Sequence, residues 1–377
     1  MERAGRSVAG ASHHPDLADL VRQPGPFLSV WAGGGFNGRV GDVPGASAAM
    51  PAELLEEVST RLAEQLPGGE GTGRAGFGGA VCIATRDGIA VLEHLPGEPR
   101  AELASLDPLP RLSPLIEHRQ GSVPFLLLTI DRRGADLFWS DGQDSGTETI
   151  EAPEDLMIQK FKDSDSGPGF GNGYREHDFQ RKVEQNWSNV AADVAKAVAD
   201  RAAVVKPRVV SVAGDVRMVQ FLREHLPPEL SALTRDAPGS RSEDGSDAIR
   251  EDANRRWIKT AVAEETVEVL RVFERERGQH DRAADGPAAT CAALCEARVD
   301  VLLVHDDPND DRPAWFAVDE PTLVAMEAHT ISDMGFEPTQ GRLVDAVIRA
   351  ALATSAGIRI VPAAGPVTDS VAAILRW

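Results

Sequence analysis

A glycine-rich stretch holds the residues whose spacing most strongly suggests chemistry. Gly169, Gly171 and Gly173 alternate with other residues, an arrangement also found in loops that cradle phosphates. A dinucleotide-binding fingerprint would need a further glycine where Tyr174 stands and an apolar strand directly before the loop, and this sequence has neither. The sequence also has no Gly-x-x-x-x-Gly-Lys phosphate loop. We therefore predict a projecting polar loop and no nucleotide cofactor, with a plain surface linker as the alternative.

Two further groups of side chains raise the question of a metal site. The acidic run at residues 305–311 follows an apolar stretch and carries oxygen ligands that a hard cation prefers. It lacks the spacing of a calcium loop and contains Pro308, so it predicts a solvated turn. Cys291 and Cys295 are four residues apart, but no nearby Cys or His completes a tetrahedral set. We expect both cysteines to pack in a core and no metal to bind.

No arrangement for nucleophilic catalysis stands out. His177 and Asp178 open a predicted helix, where an aspartate more often caps the helix than catalyses a reaction. The other Ser, His and Asp residues are too scattered along the chain to nominate a triad. The sequence therefore predicts no autonomous active site.

Composition limits the classes of partner. The 377-residue chain has a formal net charge of −20, which argues against a protein that coats DNA or RNA through bulk electrostatics. Any contact with RNA must be local. The three cysteines suit a reducing compartment, and no run of eighteen apolar residues occurs. We expect a soluble, cytoplasmic protein that binds neither DNA nor membranes.

The glycine-rich stretch is followed by the element that must position it. Apolar residues spaced by three and four predict one long amphipathic helix with a single buried stripe: Phe179, Val183, Trp187, Val190, Val194 and Val198. The predicted loop runs through Tyr174, and the helix continues to about residue 203. Residues 160–182 hold five Lys or Arg against four Asp or Glu, so this region is near neutral in an acidic chain.

The chain length and the positions of the proline-rich and polar linker segments predict three α/β domains. The first, residues 1–121, contains a strand at 26–31, a helix from Ser47, and a hairpin turning at Asp87-Gly88. A proline-rich exit, with a short helical turn near Leu115, closes this domain.

The second domain, residues 122–247, starts with a strand hairpin at 124–139. It continues through the glycine loop and the long helix to a buried strand at 208–214 and another amphipathic helix. Residues 234–247 predict a flexible joint or exposed loop.

The third domain, residues 248–377, predicts an α/β/α sandwich. A long helix to about residue 277 comes first, and a shorter helix precedes strands at 299–304 and 315–318. A helix at 343–352 then leads into a strand at 358–361 and a last amphipathic turn.

Three segments near the end of the chain carry a family resemblance: Gly-Arg-Leu-Val-Asp-Ala-Val-Ile at 341–348, Gly-Ile-Arg-Ile-Val-Pro at 357–362, and Ser-Val-Ala-Ala-Ile-Leu-Arg-Trp at 370–377. In this order they resemble the C-terminal domain of archaeal and eukaryotic class-1 release factors. The resemblance implies a three-domain release-factor-like architecture with an L7Ae-like C-terminal domain. The glycine loop and long helix then occupy the position of that family's Gly-Gly-Gln loop.

Two departures from the release-factor pattern bear on function. The loop has no Gly-Gly-Gln, so the glutamine that helps release factors hydrolyse peptidyl-tRNA is absent, and the first domain has no Asn-Ile-Lys-Ser motif. Such a chain resembles the bacterial release-factor-like family, which includes ribosome hibernation factors of the Balon type. That resemblance implies binding to the vacant A site of the 70S ribosome near the peptidyl transferase region, with elongation factor Tu as a further implied partner.

The resemblance and the residue chemistry point to the same contact residues. Backbone amides and polar side chains of the loop suit bonds to phosphates or base edges, and its aromatic rings suit stacking. The predicted rRNA-binding residues are Gly169, Phe170, Gly171, Asn172, Gly173, Tyr174, Arg175 and His177. A rescue factor that acts on peptidyl-tRNA through Asn172 or His177, and a protein-interaction module of the same fold, remain the alternatives.

Overall fold

The computed structural model describes residues 12–33, 40–66, 79–95, 102–142, 144–151, 172–241, 245–279 and 281–377, with side chains from residue 184 onwards in the helix that begins at Asn172. The chain divides into two compact units, Met1–Gln120 with Glu265–Trp377, and Gly121–Glu264. We call them unit 1 and unit 2. The division into three domains at 1–121, 122–247 and 248–377 stays a prediction.

The predicted mixed α/β class is confirmed. The described helices are, in chain order, α1 (Pro15–Leu20), α2 (Ala46–Ala49), α3 (Ala52–Gln65), α4 (Ser113–Gly121), α5 (Asn172–Val205), α6 (Val216–His225), α7 (Pro228–Leu233), α8 (Asp247–Gly278), α9 (Pro287–Cys295), α10 (Ala328–Asp333) and α11 (Leu343–Ala353). The described strands are β1 (Phe27–Ala32), β2 (Gly79–Thr85), β3 (Gly88–Leu95), β4 (Leu103–Asp107), β5 (Phe125–Asp131), β6 (Gly134–Ser140), β7 (Ser145–Glu151), β8 (Val209–Gly214), β9 (Thr234–Asp236), β10 (Ala283–Asp285), β11 (Val299–Val304), β12 (Pro313–Ala317), β13 (Val324–Ala325), β14 (Pro338–Arg342), β15 (Gly357–Ile360) and β16 (Val371–Leu375).

The N-terminal part of unit 1 is an antiparallel sheet in the order β3-β2-β1-β4. Helix α3 buries Leu54, Leu55, Val58 and Leu62 against it, as the three-and-four spacing predicts. Sequence reasoning missed β4, which lies in the proline-rich exit. Its residues are only partly buried, and the strand exists because it pairs with β1, a partner more than seventy residues earlier. Local pattern gives no sign of such a distant pairing.

The C-terminal part of unit 1 has a sheet in the order β10-β16-β11-β15. The long helix α8 supplies Val269 and Phe273 on one face of the sheet. Helices α9 and α11 pack on the other face, so the predicted α/β/α layering is confirmed. The prediction of a last amphipathic turn is wrong. Residues 371–375 form a fully buried strand, β16, at the centre of the sheet. A strand buried on both faces has a continuous apolar run, which resembles a buried helical turn.

A second small sheet in this part has the order β13-β12-β14. Its strand β12 confirms the predicted strand near Trp315. Residues of both sequence ends of unit 1 join one core, which contains Phe27, Leu112 and Ile116 together with Val344 and Val347. The two ends of unit 1 therefore fold around common side chains.

The edge strand β15 is covered within unit 1. The Gln120 side chain donates to the carbonyl of Ile360 at 3.0 Å and accepts from its amide at 2.9 Å. Ser12 pairs with Ile358 through two backbone hydrogen bonds. These contacts satisfy groups that an exposed edge would offer to another chain.

Unit 2 has a five-stranded sheet in the order β7-β6-β5-β8-β9. The predicted hairpin is β5 and β6, and the predicted buried strand β8 runs parallel to β5. Strand β7 was missed because its residues alternate between exposed and half-buried and include no long apolar run. The long predicted helix is α5, and the following amphipathic helix is α6.

Gly214 closes the parallel pair of β5 and β8. Its φ is +129°, and a Cβ atom built there would lie 1.9 Å from the carbonyl oxygen of Ile130. We expect Gly214→Ala to lower the free energy of unfolding by roughly 2–4 kcal/mol, because the methyl group adds a clash to a strained backbone. Urea unfolding measures this. Gly278→Ala, where nothing lies within 4 Å, is the matched control. Equal stability of the two variants would contradict the expectation.

Candidate functional site

The predicted contact residues lie at the start of α5 or directly before it. Gly169, Phe170 and Gly171 lie outside the described residues. The remaining five fall within the first two turns of α5: Asn172, Gly173, Tyr174, Arg175 and His177. The prediction that the loop extends through Tyr174 is therefore wrong at this end, since the helix already begins at Asn172.

The early start of α5 has a physical reason. A glycine inside a helix costs about 1 kcal/mol relative to alanine, which is why Gly173 was assigned to the loop. Extending an existing helix costs far less than nucleating one. The described part of α5 is anchored by burial further along the chain, so Gly173 can be tolerated near its beginning.

One face of α5 carries a stripe of buried side chains that packs on the sheet of unit 2. The predicted stripe residues Val190, Val194 and Val198 are at most 3% exposed, and Val205 extends the stripe. They pack with Leu126, Leu128, Ile130, Leu137, Val210 and Val212 of the sheet. Burial of each valine contributes roughly 1.5–3 kcal/mol. Glu184 and Gln185 are exposed, so among the described side chains of α5 the burial begins near Trp187.

A cation–π contact holds α5 near Trp187, where the burial of its described side chains begins. The guanidinium carbon of Arg132, in the hairpin between β5 and β6, lies 4.3 Å from the centre of the Trp187 ring. The same guanidinium lies 3.2 Å from a carboxylate oxygen of Asp215. Asp215 in turn caps α6 by accepting from the amides of Arg217 and Met218. The hairpin, α5 and the start of α6 are thus tied together by Arg132.

Two further contacts hold α5 along its length. The Arg201 guanidinium lies 4.8 Å from the Trp139 ring and forms an ion pair with Glu148. Near the Arg132 contact, Arg217 donates to Glu184 at 2.9 Å. Cation–π contacts of this kind are worth about 0.5–2 kcal/mol each. Together with the buried stripe they make α5 a rigid support.

The structure also brings Ser188 and His225 together, with 2.9 Å between the Ser188 hydroxyl oxygen and Nε2 of His225. No local sequence pattern indicates this pair, because its members are 37 residues apart on two helices. A serine nucleophile also needs a third group that orients the histidine. No such contact to His225 is present among the described residues, so we interpret the pair as a link between α5 and α6.

The segment predicted as a flexible joint or exposed loop at 234–247 is anchored in its described part. Arg241 donates to both carboxylate oxygens of Asp136, at 2.7 and 3.1 Å, and to Asp131 at 3.3 Å. The hydrogen bond from Arg241 holds the pKa of Asp136 below its usual value. Arg250 donates to the carbonyl of Ser240, and Trp257 to that of Asp236. The polar side chains of this segment and of its neighbours supply these bonds, and residues 237–240 form a partly exposed loop.

Other chemistry is limited by what the described residues offer. No group of three or more His, Cys, Asp or Glu is placed to hold a metal ion among the residues that the structure describes. In the same part of the chain, no helix is long and apolar enough to cross a membrane. Burial raises the pKa of the Cys291 thiol to about 12, and Cys291 lies in the core as expected.

Comparison with known proteins supports the resemblance seen in the sequence. Residues 124–279, which include α5 and the whole sheet of unit 2, match the model of Bacterial archaeo-eukaryotic release factor family 2. The predicted likeness to the bacterial release-factor-like family is thereby confirmed. Two Mycobacterium tuberculosis relatives, Uncharacterized protein MT2704 (strain CDC 1551 / Oshkosh) and Uncharacterized protein Rv2629 (strain ATCC 25618 / H37Rv), are each 28% identical over 335 residues, covering 86% of this chain and 83% of the relative.

The solved structures that match this chain include archaeal and yeast proteins. The crystal structure of Archaeoglobus fulgidus Pelota is 15% identical, with a TM-score of 0.37, and the match covers 97% of this chain and 93% of Pelota. The S. cerevisiae Dom34 structure is 9% identical, with a TM-score of 0.36 and 80% of each chain covered. An archaeal translation termination factor, aRF1, is 14% identical, with a TM-score of 0.24 and 96% of each chain covered.

The Arg132 contact is tested by a double-mutant cycle. We expect Arg132→Ala and Trp187→Ala to show a coupling of about 0.5–1 kcal/mol in the free energy of unfolding, because each removes the same cation–π contact. Arg133→Ala, which changes the adjacent arginine of the hairpin, should show no coupling to Trp187→Ala. Urea unfolding of single and double variants gives these values. Additive effects of Arg132→Ala and Trp187→Ala would contradict the role assigned to the contact.

Proposed function

We propose that this protein binds the vacant A site of the 70S ribosome as a hibernation or stress factor and does not hydrolyse peptidyl-tRNA. One observation carries the proposal. Residues 124–279 match a release-factor family, yet the stretch before α5 has no Gly-Gly-Gln. A chain that keeps the helix and lacks the glutamine is suited to occupying the site without performing its chemistry.

The physical properties of α5 support an RNA contact at its N-terminal end. The first amides of a helix have no partners within the helix and carry partial positive charge, so they attract phosphates. Asn172 and Arg175 lie in this first turn and add polar groups suited to RNA. Residues 160–182 are near neutral in a chain of net charge −20, so the bulk charge does not favour indiscriminate RNA binding. Local geometry would then select the binding site.

The part of α5 that follows its N-terminal end is held rigidly where the structure describes it. The stripe at Val190, Val194 and Val198 and the Arg132–Trp187 contact hold α5 on the sheet of unit 2. A preorganised element loses less conformational entropy on binding than a mobile one. The arrangement is therefore suited to presenting residues 169–175 to a cavity lined by rRNA.

Two alternative functions predict different experimental results. A rescue factor would use Asn172 or His177 in place of the missing glutamine to act on peptidyl-tRNA. A protein-interaction module with the same fold would not bind ribosomes at all. The resemblance further implies delivery by elongation factor Tu in the cytoplasm, which comparing ribosome binding with and without that factor would test.

Arg175→Ala tests the RNA contact. We expect it to weaken cosedimentation with purified 70S ribosomes severalfold and to reduce the slope of log affinity against log salt by about 1, because one phosphate contact is lost. Arg255→Ala is the matched control, since Arg255 is an exposed arginine of α8 in the same unit. Equal binding by the two variants at every salt concentration would remove Arg175 from the proposed site.

Peptide release separates the proposal from the rescue-factor alternative. We expect the purified protein to release no peptide from ribosome-bound peptidyl-tRNA above background, because its sequence lacks the Gly-Gly-Gln glutamine. Asn172→Ala and His177→Ala should leave that background unchanged. Turnover by the parent protein that either substitution abolishes would establish the rescue-factor alternative instead.

A further inference from the structure

The acidic run at 305–311 contributes its last residue, Asp311, to the lining of a polar pocket in unit 1. Only part of the run is the solvated turn that the sequence predicts: Asp311 is exposed, whereas Asp306 accepts from Arg342 and Ser113. The pocket has a volume of about 350 Å³. Its charged lining residues come from the end of β4 and the segment that follows it, from the acidic run, from the end of β14 and from the start of α11: Asp107, Arg111, Asp311, Arg342 and Asp345.

Asp345 is the unusual group in this wall. Its side chain is 2% exposed, and its Oδ1 accepts no hydrogen bond from the described residues. The two nearest cations are slightly too distant to donate: Nη1 of Arg342 lies 3.7 Å from Oδ1, and Nε of Arg111 lies 3.6 Å from Oδ2. A buried carboxylate oxygen without a donor is costly, so the site is chemically incomplete at Oδ1.

The arginines of the pocket are already engaged by other groups. Arg342 donates to the carbonyls of Asp310 and Asp307 and to the carboxylate of Asp306. Arg111 donates to Asp107 at 3.2 Å. With every lining group ionised, three aspartates and two arginines give the wall a net charge of −1. The additional group that this wall favours is therefore a cation that donates hydrogen bonds.

The shape of the wall indicates which kind of cation fits. Pro108, Leu109 and Pro313 supply apolar surface, and the carboxylates of Asp107 and Asp311 lie near solvent, with side chains 31% and 77% exposed. A buried carboxylate, an apolar wall and outer carboxylates match an alkyl chain with an ammonium group at each end. A volume of about 350 Å³ is within the range of small-molecule sites.

We propose that this pocket binds a linear polyamine, with one ammonium group beside Asp345, the methylene chain along Pro108, Leu109 and Pro313, and another ammonium group near Asp107 and Asp311. A metal ion fits less well, because no set of three metal-binding side chains is placed for one among the described residues. A bound anion would face more carboxylates than guanidinium groups. The inference is independent of ribosome binding.

Protonation of Asp345 gives the proposal a distinctive signature. Burial raises the pKa of Asp345 to about 7, against the opposing effect of the nearby arginines. The charged groups that face it are Arg342, Arg111, Asp306, Asp107 and Asp311. An ammonium group favours the ionised carboxylate, so binding should release a proton near neutral pH. Affinity should then rise severalfold between pH 6 and pH 8.

Calorimetric titration of the full chain with spermidine, putrescine and n-butylamine at 150 mM salt tests the proposal without ribosomes. We expect one saturable site for spermidine and putrescine, and Asp345→Asn should weaken it at least tenfold. Asp333→Asn removes the same charge from an exposed position at the end of α10 and should leave binding unchanged. The amine n-butylamine has a single ammonium group, as a lysine side chain does, and should bind much more weakly.

A second variant keeps the test decisive if Asp345→Asn fails to fold. Asp311→Asn changes an exposed side chain and should weaken spermidine binding a few-fold. Absence of a saturable site in the parent protein would overturn the proposal. So would equal affinities for the Asp311→Asn and Asp333→Asn variants, which would indicate general attraction to an acidic surface. Butylamine binding as tight as that of putrescine would exclude a polyamine and point to a single ammonium group.

Discussion

The packing of one face of α5 against the sheet of unit 2 is the interaction on which the candidate site depends. Val190, Val194 and Val198 can be buried together only if the helix lies along β5 and β8, whose side chains supply the other half of that core. Because β5 and β8 are parallel neighbours, the chain must cross over between them, and α5 is part of that connection. The direction and position of the helix follow from this constraint.

Contacts between arginines and aromatic rings fix the orientation of α5 on the sheet. Arg132 stacks on Trp187 and reaches Asp215, while Arg201 stacks on Trp139 and pairs with Glu148. These partly exposed contacts contribute less stability than the core, since solvent screens them. Their value is geometric, because each connects α5 to a different element of the sheet. A helix fixed in this way provides a defined base for whatever precedes it.

Elements with a strong period of their own could be predicted from the sequence, as α3, α5 and α11 illustrate. Elements defined by distant partners could not. Strand β4 depends on β1, and the buried strand β16 looked like a helical turn because both of its faces are apolar. The start of α5 was misplaced because glycine was weighed as a helix breaker. The contacts of Arg132 and Arg241 were missed because charge patterns do not specify partners.

The proposed function requires that residues at the start of α5 occupy the ribosomal A site. Competition on purified vacant 70S ribosomes tests it most directly: the protein is bound first, A-site aminoacyl-tRNA is added at increasing concentration, and both are measured in the ribosome pellet. We expect the tRNA to displace the protein as its concentration rises, because both ligands require the same site. Simultaneous binding of the protein and A-site tRNA to the same ribosomes would contradict it.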